Sequence, residues 1–407
     1  MIIIQNAKIF DGTNLVSDQS ILIENNIIKE INKNIKSKYC ENYIDAKKNF
    51  LMPGLIDAHF HANTPSYDFY GSDRYPKSYI AIHASNILND TLLRGFTSVR
   101  DAGGGDQGLH MSLEEGIIQG PRFFYPGKAL TQTGGHGDMR KREYTEHCGC
   151  AYSGNITKVV DGADEVRKAI REEFRKGAHH IKIFLSGGVS TNLAPLEMPH
   201  FSDVEIITAV QEAKRRNSYV MAHCHTDEGA IRCANLGIRS IEHGSLISLK
   251  TAKLISQKKN TYVVPTLSAG ELIENMGTKL GLDEDSLEKV KEVNLKRNRA
   301  IENCVNAGVK LGLGSDLHGR KYLENQSKEL ILRSRIQKNL DVLRSATSIN
   351  AEIMQMKNQL GVIKEGALAD VIIWSDNPIK NINIFDNPKK HLLLIIKDGK
   401  INLNRIN

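Results

Sequence analysis

The chain has 407 residues, of which 40% are hydrophobic and 25% charged, with a formal net charge of +7. That length holds one large domain plus a smaller one and a substantial core, and the composition is that of an ordinary globular enzyme. Its Lys and Arg residues are scattered, so a solvated basic surface is expected rather than nucleic-acid contact, and no run nears the roughly 18 apolar residues of a membrane helix.

The opening MIIIQNAKIFDG lacks the basic and long apolar regions of a signal peptide and reads as a strand. DGTN and then NN, within SILIENNIIKEI, are turn signals that fold the first fifty residues into hairpins. From Phe50 onward, apolar strand-like runs alternate with helical stretches such as VEIITAVQEAKRRN and GAIRCANLG. The runs fall at 51–58, 97–100, 122–125, 180–184, 219–222, 239–241, 262–265 and 310–313, which is eight. Eight βα units predict an α/β fold, a (β/α)₈ TIM barrel whose reactive groups gather at the C-terminal ends of the strands. After the last helix, GVIKEGALADVIIWSDNP and HLLLIIKDGKINL return to short strands. The expected organisation is a barrel over 51–360 and a small β-sandwich built from 1–50 and 361–407. Gly103–Gly105 marks a loop.

The six cysteines form no CxxC pair. Reduced thiols in a cytoplasmic protein are the simplest account, although Cys148 and Cys150 leave room for an odd local site.

Metal-type side chains lie on these runs: His59 and His61 in GLIDAHFH, Lys182 in HHIKIF, His223 in YVMAHCH, His243 in RSIEHG and Asp316 in LGLGSD. Residues two apart on a strand share a face, so His59 and His61 can grip one ion together. Four imidazoles, a carboxylate and an amine at strand ends suit a hydrolytic zinc site with an open coordination position. Taken singly, each has an ordinary alternative: a hydrogen-bonded core histidine, or a helix cap at Asp316. Lys182 is the hardest to dismiss, because a buried amine is unfavourable without a partner. Reaction with CO₂ to an anionic carbamate would resolve that. The joint placement on strands one, four, five, six and eight favours the metal reading.

In that order of residues the chain resembles the amidohydrolase superfamily, from NAKIFDG and FLMPGLIDAHFHA through to GVIKEGALADVIIW. The resemblance is to the binuclear subtype with a carboxylated lysine. It implies two divalent ions, expected to be Zn²⁺, with His59, His61 and Asp316 on the more buried one. His223 and His243 would hold the more exposed one, and N6-carboxylysine at Lys182 would bridge the two. ALTQTGGHGDMR, IKIFLSGGV and GSDLHGRKYLENQSKEL further resemble imidazolonepropionase-like, Xaa-Pro dipeptidase members that release a C-terminal amino acid from dipeptides and N-acyl amino acids.

The resemblance implies that Asp316 is the catalytic base. It also implies that His136, in GGHGD, adds a donor to the developing oxyanion, although a loop histidine fixing its turn is the bland alternative. Proline-directed relatives carry HAY at strand five, with the tyrosine near the substrate carboxylate. Here His225 stands in that place, so it is expected to contact substrate, with a helix cap or a histidine supporting the ligands from behind as its ordinary alternative. The same site would also serve a cyclic amide, a lactone or a carbamate, and a non-catalytic binding protein on this fold is the alternative of another class. A nucleic-acid deaminase fits less well, since superfamily deaminases generally lack the strand-four carboxylated lysine. The expected partners are a small-molecule substrate, no nucleic acid, no membrane and a second copy of the chain in a homo-oligomer.

Overall fold

A computed structural model describes residues 1–33, 35, 42–72, 74–140, 154–191 and 194–406. Cys40, Cys148 and Cys150 lie outside the described residues, whereas Cys224, Cys233 and Cys304 are buried free thiols. No helix among the described residues is long and apolar enough to cross a membrane.

The terminal segments share one eight-stranded sheet. Ile2–Phe10 pairs antiparallel with Leu15–Glu24, which pairs antiparallel with Ile27–Asn32. The Asn25–Asn26 turn uses a left-handed Asn25, φ 56°, a conformation asparagine tolerates better than most residues. On its other edge Ile2–Phe10 runs parallel to Asn42–Asp45 and Phe50–Pro53, and Phe50–Pro53 pairs antiparallel with Val371–Trp374. Leu392–Lys397 and Lys400–Asn404 complete the sheet.

Strict alternation makes this sheet two-faced. Leu51, Val371 and Ile373 pack with Ile2, Ile4, Ile21 and Ile23 inside the sandwich. Phe50, Met52, Ile372 and Trp374 turn the other way, onto Phe96, Leu313 and Val342 of the barrel. Only Gly54 separates Phe50–Pro53 from Leu55–Phe60, the first barrel strand. A Cβ at Gly54 would overlap the Thr97 side chain, so the crossing from sandwich to barrel requires glycine.

The barrel strands follow in the predicted order. Leu55–Phe60, Phe96–Asp101 and Arg122–Phe124 form one parallel sheet. Ile181–Phe184, Val220–Cys224, Ser240–His243 and Tyr262–Val264 form another. Two short strands that periodicity did not announce, Ala129–Thr131 and Thr157–Val159, precede the fourth barrel strand in that second sheet. Single backbone hydrogen bonds carry the succession across the seams: His179 N–H to Tyr125 O at 2.8 Å, Gly312 N–H to Val263 O at 2.8 Å, and Ala58 N–H to Leu313 O at 2.9 Å. The eighth position, 311–313, is therefore a bridge rather than a full strand.

Two of the connecting helices, Asp227–Leu236 and Leu249–Ser256, start on side-chain caps. Thr226 Oγ1 accepts from Gly229 N–H at 3.2 Å, and Ser248 Oγ accepts from Thr251 N–H at 3.2 Å. Ile183, Ala222, Ile241 and Val263 point outward and pack against Ile206, Cys233 and Ile255 of the connecting helices. The residues between them on each strand consequently point into the barrel.

Candidate active site

Alternation delivers part of the site directly. With Ile181 and Ile183 outward, Lys182 faces the interior, and with Ala222 and Cys224 outward, His223 does the same. Lys182 stands opposite Met221 and His223 opposite Phe184, so the lysine sits two residues deeper than the strand-end position expected for it.

Alternation would turn His243 outward beside Ile241. Instead its backbone adopts φ 69°, which lets Glu242 and His243 both face inward. Asp316 is likewise left-handed, φ 54°. Such conformations are unfavourable by about 1–3 kcal/mol in residues other than glycine and concentrate at functional sites.

Two groups of donor atoms result, each with all its atoms within 4.8 Å of one another: His59, His61 and Asp316, and His223, His225 and His243. Lys182 and His136 line the same cavity, which holds about 1090 Å³ including its mouth. All eight candidate residues are thus brought together. His225 packs directly against these histidines: its ring stacks on His243 at 4.8 Å, and its Nδ1 lies 3.0 Å from Ser245 Oγ.

Proton placement around His59 is informative. Its Nδ1 lies 2.7 Å from Glu242 Oε2, and Arg100 holds Glu242 Oε1 at 2.9 Å. Burial favours the neutral form of Glu242, yet Arg100 and His59 outweigh it and bring its pKa down to about 2. Glu242 therefore accepts a hydrogen bond from Nδ1–H and leaves Nε2 facing Asp316 Oδ1, 3.3 Å away; burial and Lys182 favour the neutral ring, but Asp316 and Glu242 outweigh them and raise the His59 pKa. His61 Nε2 is 3.2 Å from the same oxygen, and burial lowers its pKa to about 3. Burial opposes the charge on Asp316, but His59 and hydrogen bonds from His318, His59 and His61 hold its pKa well below the usual range. Protons now join Asp316 to these imidazoles, and a divalent ion bound between the same atoms would replace them. A carboxylate on the far nitrogen of a ligand histidine is the usual support of a metal site. His243 shows the same design: Thr266 Oγ1 holds Nδ1 at 2.7 Å, while Nε2 is buried with no partner among the described residues. These donors fit divalent metal.

Lys182 is 2% exposed and has no hydrogen-bond or ion-pair partner among the described residues. Burial lowers its pKa to about 8, with Glu242 and Asp316 opposing the shift.

The His136 loop is built by close approach. His136 Nδ1 lies 2.9 Å from Thr191 Oγ1, and its backbone N–H donates to His200 Nε2 at 2.7 Å. A Cβ at Gly188 would overlap its ring, and one at Gly137 would overlap Phe184. The ring is therefore fixed 4.5 Å from that of His223.

Residues 50–402 match the model of the amidohydrolase family. The chain belongs to that family. Ochratoxinase of Aspergillus niger is 30% identical over 374 residues, 86% of this chain and 75% of the relative. A prolidase crystallised with N-methylphosphonate-L-proline superposes with a TM-score of 0.95 at 38% identity, covering 99% of both chains. A Xaa-Pro dipeptidase with bound methionine gives a TM-score of 0.87 at 30% identity, covering 99% of this chain and 100% of that one. This amidohydrolase is accordingly a hydrolase of amide bonds acting on small molecules.

Several residues of this amidohydrolase site escaped the sequence reading. Glu242, Arg100 and Asp57 are charged residues inside apolar runs, the same signal that flagged Lys182. Asp57 lashes the first strand to the Asp316 turn by accepting from Ser315 Oγ at 2.6 Å and from Gln326 Nε2 at 2.9 Å. His318, stacked on His61 at 4.4 Å, sits only two residues beyond Asp316.

Proposed function

We propose that this amidohydrolase cleaves the amide bond of dipeptides or N-acyl amino acids and uses two divalent ions, expected to be zinc. The observation that carries the reading is the pair of donor groups flanking Lys182 in one cavity. His59, His61 and Asp316 would hold one ion and His223 and His243 the other. Lys182 would join them as N6-carboxylysine: the neutral amine attacks CO₂, loses a proton and becomes an anionic carbamate. Its lowered pKa supplies that neutral amine near physiological pH. When bound, the ions supply Lewis acidity and ready ionisation of water.

The chain's own groups do the rest. Asp316 takes the proton of the attacking water and passes it to the departing amine, help worth about 10²–10⁴-fold. His136, fixed by Thr191 and Gly188, directs its ring at the oxyanion, where one donor contributes roughly 10²–10³ in rate. His225 contacts the substrate beside His223. The ligands bound by the two structural neighbours, a proline phosphonate and methionine, support an amino acid as the departing group.

The test is a library of dipeptides and N-acyl amino acids offered to zinc-loaded protein supplied with bicarbonate. Turnover of a subset, abolished by chelation, is expected. No turnover across the library, or full activity after chelation, would sink the proposal.

A further inference from the structure

The histidines occupy one part of the cavity, and a helix that the mechanism leaves idle occupies another. Glu284–Asn306 presents Val290, Val293, Asn294, Arg297 and Ile301 to the cavity, a stripe at three- and four-residue spacing. Arg297 is the one cation in the middle of this otherwise neutral stripe. Its Nη1 donates to Leu267 O at 2.7 Å, and its Nε is buried with no partner among the described residues. No carboxylate among the described residues lies within ion-pair reach of it. Burial lowers its pKa, and the more distant Glu329, Glu271 and Glu274 only partly offset that. The guanidinium also has reserved space: a Cβ at Gly270 would overlap Arg297 Nη1 and Asn294 Oδ1.

Five N–H donors in a planar fork match a carboxylate, and a half-buried arginine using one of them on a backbone carbonyl is incompletely satisfied. We propose that Arg297 is the residue that binds the free carboxylate of the substrate's amino-acid portion, with Val290, Val293 and Ile301 as the apolar surroundings of its side chain. The inference rests on the proposed amide hydrolysis for its substrate class and narrows that class to N-acyl amino acids and dipeptides with a free C-terminus and an apolar C-terminal residue. It moves the carboxylate away from His225, whose Nδ1 is engaged by Ser245 and whose ring stacks on His243.

Binding and turnover of N-acetyl-L-phenylalanine and of its C-terminal amide are measured with metal-loaded wild-type protein, Arg297→Lys and Arg297→Met. Thermal unfolding checks that each variant is folded. Wild-type protein is expected to bind the acid about 10- to 100-fold more tightly than the amide, the range of a charged hydrogen-bonded contact. Arg297→Met should bring the two ligands to near parity by weakening the acid alone, and Arg297→Lys should retain an intermediate preference. Acid preference that survives Arg297→Met, equal weakening of both ligands, or no acid preference in wild-type protein would each overturn the assignment. Selective binding through Arg297 without hydrolysis would sink the proposed reaction and leave this site standing. Hydrolysis without acid selectivity would do the reverse.

Discussion

His59 Nδ1 and Glu242 Oε2 lie 2.7 Å apart, with both side chains almost wholly buried and the far side of the carboxylate pinned by Arg100 and Ser240. This contact occupies Nδ1 of His59 and leaves Nε2 as the nitrogen that the proposed metal would take. It also neutralises Arg100, which has no other carboxylate in contact among the described residues. Glu242→Gln should therefore lower metal affinity about 10- to 100-fold, as loss of a partner behind a ligand histidine does. Stability should fall by about 3–5 kcal/mol, since the change strands a buried guanidinium. Chelator competition and denaturant unfolding measure the two effects. Unchanged metal affinity would detach Glu242 from the site.

Asp316→Asn removes the proton acceptor while nearly preserving shape. A drop in kcat of about 10²–10⁴ is expected, with metal content measured alongside to separate lost chemistry from lost metal. Activity within a few-fold of wild type would refute its role as base.

Lys182 links activation to pH with a definite sign. Only the neutral amine reacts with CO₂, and its pKa is lowered to about 8. Reactivation of metal-stripped protein by zinc at a constant concentration of dissolved CO₂ should therefore speed up as pH rises through 8. The neutral fraction is about one tenth at pH 7 and about nine tenths at pH 9 by simple titration. Lys182→Ala should lose activity and regain part of it with short carboxylic acids that mimic the carbamate. A reactivation rate independent of bicarbonate would speak against the carbamate.

His225→Ala should raise KM more than it lowers kcat, the mark of lost uniform binding, while two equivalents of metal remain. Acid and amide substrates should suffer alike, unlike in Arg297→Met. Loss of one metal equivalent would instead make His225 a ligand.

What the sequence revealed depended on contrast. Lys182 and the histidines stood out because charged or polar groups interrupt apolar strand runs, and strand order then placed them around one axis. The depth of Lys182 was hidden, because it depends on the register between Ile181–Phe184 and Val220–Cys224. The inward turn of His243 was hidden too, since period-two alternation assigns it the outer face and only its left-handed backbone reverses that. Arg297 was the least visible. It lies on a helix rich in Glu and Lys, and its sequence alone does not distinguish a cavity-facing cation from a solvated one.

The passage from Phe50–Pro53 through Gly54 into Leu55–Phe60 also has a temporal meaning. The segment bearing His59 is made before the rest of the barrel, yet its upstream neighbour is zipped to Val371–Trp374, which is made after it. Until that late segment docks, the ribbon leading to His59 and His61 lacks one of its two flanking strands. A nascent chain stalled before Val371 would present its histidines without the complete scaffold that aims them.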